Sequence, residues 1–70
     1  MEKTMHDLKI IATVNKIPQW KIAETIGIYP STLCVWMRKY NADHYDRIMD
    51  AMIKLDPKGV EKALKFLEGM

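Results

Sequence analysis

Seventy residues with 49% apolar and 29% charged side chains and a formal net charge of +2 describe one small globular domain. The composition excludes a disordered chain, and no apolar run is long enough to span a bilayer, the stretch from Ile10 to Asn15 being only a few residues. No basic leader with an apolar core and a cleavage site opens the sequence, and the single Cys34 cannot form an internal disulfide, so a cytoplasmic, non-membrane location is expected.

The charge is unevenly spread. Residues 1–42 carry six basic side chains (Lys3, Lys9, Lys16, Lys21, Arg38, Lys39) against three acidic ones (Glu2, Asp7, Glu24), whereas residues 43–70 carry five basic and six acidic. The first part is therefore +3 and the second −1. An excess of this sign on one part of a small domain is what a phosphate-binding face needs, although a mixed solvated surface can also produce it.

In chain order, Met5, Leu8, Ile11 and Ala12 recur on one face and predict a first helix over about Thr4 to Asn15. Ile10 and Val14 widen its apolar stripe, so this helix is either wrapped on two sides or offers one side to a partner. The segment Asn15-Lys16-Ile17-Pro18 should break it, because a residue before proline is pushed out of the α region. A second helix, about Pro18 to Ile26, buries Ile22, Ala23 and Ile26, and Gly27 to Tyr29 form a turn with Ile28 pointing inward. Ala23 is small where two helices meet closely. A third helix follows over about Pro30 to Tyr40, with Pro30 in its first turn. Its inner stripe is Leu33, Trp36, Met37 and Tyr40, leaving Ser31, Thr32, Cys34, Val35, Arg38 and Lys39 outward.

Asp43 is a candidate N-cap for a fourth helix over about His44 to Leu55, buried through Tyr45, Ile48, Met49, Met52 and Leu55. Asp46 would sit near its positive end. Asp56-Pro57 repeats a cap-plus-proline start for a fifth helix, about Pro57 to Glu68, with Val60, Ala63, Leu64 and Leu67 on one side and Gly69 as a stop. No alternating strand pattern and no hairpin turn occurs. The fold class predicted is all-α: a small five-helix bundle, with helices two and three arranged as a helix-turn-helix.

Catalytic and metal chemistry find no support. His6 and His44 lie on different helices without ligands at metal spacing, Cys34 has no local partner, and three scattered glycines make no phosphate loop. Neither an enzyme nor a cofactor is expected, and a chain this short has little room for a deep pocket.

Gln19, Ala23 and Gly27, then Ile28, Leu33 and Trp36, resemble the Cro and phage-repressor family of helix-turn-helix proteins, the lambda-repressor-like fold. The resemblance covers roughly the first 55 residues and is strongest from Gln19 to Met37; the segment Gly27-Ile28-Tyr29-Pro30-Ser31-Thr32-Leu33 is particularly like the turn of small phage repressors. It implies a transcriptional regulator that binds double-stranded DNA with its third helix in the major groove. Gln19 would then meet a phosphate or brace the third helix, with Lys16, Lys21, Lys39 and Asn41 also placed for phosphates. Tyr29, Ser31, Thr32, Cys34, Val35 and Arg38 would face the bases. The sequence departs from a strong reader, because bidentate bonds to guanine or adenine come from Arg, Lys, Asn or Gln, and here only Arg38 has such a fork.

Two readings therefore stand. One is a repressor that takes most of its affinity from phosphates. The other is a modulator or anti-repressor that binds a partner repressor protein, a role suited to an exposed Val35 with Trp20 nearby. Trp20 alternatively packs over the end of the first helix. Phe66 falls outside the buried stripe of helix five, so Phe66, Leu67 and Met70 are a candidate homodimer interface; in a monomer Phe66 would instead cap the core.

Overall fold

The described residues, 4–69 in this computed structural model, form five α-helices and no strand. The helices are α1 (Met5–Val14), α2 (Gln19–Ile26), α3 (Pro30–Trp36), α4 (Ala42–Leu55) and α5 (Pro57–Glu68). The all-α class expected from the periodicity is what the chain adopts. The expected candidate interface residue Met70 lies outside the described residues.

Every helix gives at least one side chain to a common core. Leu8 and Ile11 come from α1, Ile22 from α2, Leu33 from α3, Ile48 and Met52 from α4 and Val60 from α5, all without solvent exposure. Full burial of a side chain of this size stabilises by about 1.5–3 kcal/mol. The longest helix, α4, packs on α1, α2 and α5, while α3 packs on α2. Ala23 is fully buried beside Ile22, as its small size and the turn that follows require.

The ends of the helices follow from local chemistry. The hydroxyl of Thr4 accepts from the Asp7 amide at 3.2 Å and starts α1. Pro18 does not stop this helix; the chain has already left it at Asn15. Lys16 takes a left-handed backbone (φ 56°), its amide donates to the Thr13 carbonyl at 3.2 Å, and the Ile17 amide donates to the Ala12 carbonyl at 2.8 Å. This reciprocal pair of bonds closes a helix through a left-handed residue and buries the apolar residue after it, here Ile17. Gly27 (φ 92°) closes α2 through the same left-handed backbone, but here its own amide (2.9 Å) and the Ile28 amide (3.0 Å) both donate to the Ala23 carbonyl.

Three expectations need correction. The third helix was expected to reach Tyr40 but ends at Trp36: the Arg38 amide donates only three residues back, to Val35 at 3.2 Å, and the helical ladder stops. Tyr40 consequently leaves the inner stripe and is exposed, its ring tilted against that of Tyr45. The N-cap of α4 is Asn41 rather than Asp43, because the Asn41 Oδ1 accepts from the His44 amide at 3.1 Å. Asp43 lies in the first turn instead and pairs with Arg47 one turn on, in an exposed ion pair at 3.1 Å. Trp20, for which two readings stood, is 55% exposed.

At the α4–α5 junction the sequence signals hold. Asp56 ends one helix and begins the next, and its carboxylate accepts from the Gly59 amide at 3.1 Å. Pro57 occupies the first turn, where no amide is needed.

Candidate nucleic-acid interface

Tyr29, the residue before Pro30, is held extended (φ −77°, ψ 150°), as a following proline ring demands. The turn from Gly27 to Tyr29 therefore sets α3 off from α2 with little backbone freedom at either end. Buried Leu33 and half-buried Trp36 anchor α3 inward, and buried Met37 follows immediately after it. Ser31, Cys34 and Val35 are left exposed, Thr32 half-buried, and Arg38 and Lys39 exposed beyond the end of the helix. Val35 is 60% exposed and Tyr29 77%.

A shallow groove of about 450 Å³ lies where the end of α1, the start of α2 and Met37 converge. Lys9, Thr13, Lys16, Pro18 and Gln19 line it. The Gln19 side-chain amide reaches the Met37 sulfur at 4.0 Å, a weak bond that ties the start of α2 to the residue closing α3. Pro18, the cap residue of α2, has no side-chain acceptor to offer, so the amino end of this helix borders the groove without a side-chain cap. The partial positive charge of a helix start and two lysine ammoniums therefore fall in one concavity, an arrangement suited to an anion.

Among the described residues, ion pairs join Arg47 to Asp43 and Lys65 to Glu61; none joins Lys9, Lys16, Lys21, Arg38 or Lys39 to a carboxylate. These cations are free to meet external anions. Lys9 and Thr13 were not foreseen as part of this groove. The signal in the sequence was partial: Lys9 and Thr13 are four residues apart on one face of α1, while Lys16 lies past the end of that helix. Asn41, expected at a phosphate, has its carbonyl oxygen engaged in capping α4, so only its amide nitrogen is left for such a contact.

The dimer candidates sit elsewhere. Phe66 is 70% exposed rather than capping the core, and with Ile10, Val14, Ala63 and half-buried Leu67 it borders an apolar groove of about 430 Å³ between α1 and α5. Ile10 and Val14 thus lie on a second side of α1 that α5 covers only in part.

No group of three or more His, Cys, Asp or Glu side chains is placed to hold a metal among the described residues, and no described helix is long and apolar enough to cross a membrane. Comparison with protein-family models, curated proteins and solved structures found no match for the chain.

Proposed function

We propose that the protein is a DNA-binding transcriptional regulator of the phage or mobile-element type, with α2 and α3 as a helix-turn-helix and α3 entering the major groove. The observation that carries this reading is the exposed outer face of α3 together with a groove lined by Lys9, Lys16 and Met37, the residue closing α3, with none of Lys9, Lys16, Lys21, Arg38 and Lys39 paired to a carboxylate among the described residues. Lys9, Lys16, Lys21 and Lys39, with Gln19 and the start of α2, meet phosphates and set the register. Ser31, Thr32, Cys34, Val35, Tyr29 and Arg38 face the bases. The resemblance of Gln19, Ala23, Gly27 and Leu33 to Cro and phage repressors agrees with this assignment.

A homodimer joined at Phe66 and Leu67 would present two α3 helices to the half-sites of a palindrome, about 34–36 Å apart. The second reading, a modulator that binds a repressor protein, is favoured by the large exposed side chains Trp20, Tyr29 and Val35. Titration of random duplex DNA across a salt series separates the two. A DNA binder using four or five cations gives a slope of log K against log salt of about −4 per protomer. No binding at low salt removes DNA from the function and leaves the protein partner.

A further inference from the structure

The helix α3 contains no charged side chain: its residues are Pro-Ser-Thr-Leu-Cys-Val-Trp. Arg38, which carries the one guanidinium near it, lies two residues past its end. A helix of this composition cannot make the bidentate bonds that distinguish guanine or adenine. Ser31 can donate or accept a single bond, which tells little about the base it meets. What remains exposed is apolar: the two methyls of Val35, the ring of Tyr29 and the Cys34 thiol. Among the four bases only thymine presents an apolar group, its 5-methyl, in the major groove.

Resting on the DNA-binding reading above, we infer that α3 selects its site through the 5-methyl groups of thymine, packed against Val35 and Tyr29. Charge complementarity decides the occupant of this face. Arg38 and Lys39 follow the helix, and Lys9 and Lys16 line the groove that Met37 shares. Phosphates flank a DNA groove on both sides, so exposed apolar side chains on a helix that Arg38 and Lys39 follow suit a duplex. The chemistry recognised is the methyl group rather than the base. Cytosine carrying a 5-methyl group presents the same surface at the same place in the groove, so methylated cytosine is accepted where thymine is preferred.

The test starts from duplexes selected for binding at low salt and replaces thymine by uracil, which removes the methyl and keeps the pairing. Uracil is expected to weaken binding about fourfold at each contacted position, equivalent to ~0.8 kcal/mol for one buried methyl. Val35→Ala is expected to abolish the difference between thymine and uracil at one of those positions while leaving the salt slope unchanged. In place of an unmethylated cytosine there, 5-methylcytosine is expected to recover a similar factor. Salt-dependent binding with thymine and uracil duplexes equal at every position overturns this inference and leaves the DNA-binding reading standing. If selection enriches no sequence, a random pool made wholly with uracil binding as tightly as the thymine pool has the same consequence. Absence of any duplex binding at low salt overturns both.

Discussion

The indole of Trp36 and the imidazole of His44 lie face to face, their centroids 3.9 Å apart and their planes within 2° of parallel. Trp36 is the last residue of α3 and His44 stands in the first turn of α4, so the stack pins the end of one helix to the start of the next across residues 37–41. An aromatic pair contributes about 0.5–1.5 kcal/mol beyond its area. His44→Ala should destabilise the domain by about that amount in urea unfolding, and His44→Phe should restore it. Because α3 loses its fixed end, the alanine variant should also weaken the proposed DNA binding without altering the salt slope. Equal stability of all three proteins would mean that the stack carries no load.

How far the sequence foretold this arrangement differs from element to element. The inward faces were legible: Leu8, Ile11, Ile22, Leu33, Ile48, Met52 and Val60 repeat at helical spacing and are all buried. Asp56 and Pro57 announced α5 because a capping carboxylate and a missing amide act locally. The end of α3 was not legible, since Tyr40 continues the stripe; the turn after Val35 and the meeting of Trp36 with His44 depend on where α4 lies. Asn41 outcompeted Asp43 as a cap because the chain enters α4 two residues earlier than its charges suggest. The lysine groove needed three helices to assemble, and sequence alone pointed to Lys16 and Gln19 but not to Lys9.

Lys16 and Gly27 close consecutive helices with the same left-handed backbone, yet only one of them is glycine. The left-handed region costs an ordinary residue roughly 1–2 kcal/mol, part of which glycine returns through its freer unfolded chain. A Cβ on Gly27 would touch nothing within 4 Å, so Gly27→Ala isolates the backbone term and should destabilise by about 1 kcal/mol. Lys16→Gly should act in the opposite direction, raising stability by up to about 1 kcal/mol while weakening the proposed DNA binding and making its salt slope shallower by about one unit. A stabilised Lys16→Gly protein with unchanged DNA affinity would remove Lys16 from the phosphate contacts.

Gly59 is required for a different reason. A Cβ there would lie 2.5 Å from Asn15 Oδ1 and would also overlap the Asp56 carboxylate that caps α5. The position brings the end of α1 against the first turn of α5. Gly59→Ala must displace either the cap or Asn15, and a destabilisation of about 1–3 kcal/mol by thermal or denaturant unfolding is expected. Asn15→Gly combined with Gly59→Ala should recover only the part of the loss due to Asn15. Full tolerance of Gly59→Ala would show that both side chains move aside freely.

Tyr45, buried on α4, gives the domain a limit at alkaline pH. Burial raises its phenol above the ordinary value of 10.0, and the charges of Asp7, Tyr40 and Asp46 push in the same direction. The folded protein therefore keeps this proton at a pH where the unfolded chain has begun to lose it. Since the unfolded state then binds fewer protons, stability falls as pH rises. The contribution is fully present below about pH 10, the unfolded value, and is lost as pH climbs through the raised folded value. Tyr45→Phe shifts stability by a constant amount at neutral pH, where the phenol is protonated in both states, and removes the alkaline decline due to this group. Urea unfolding of the two proteins between pH 8 and 11 should give curves that run parallel up to about pH 9.5 and converge or cross above it. Curves parallel throughout would assign the alkaline loss to other groups and leave the Tyr45 phenol as exposed to titration when folded as when unfolded.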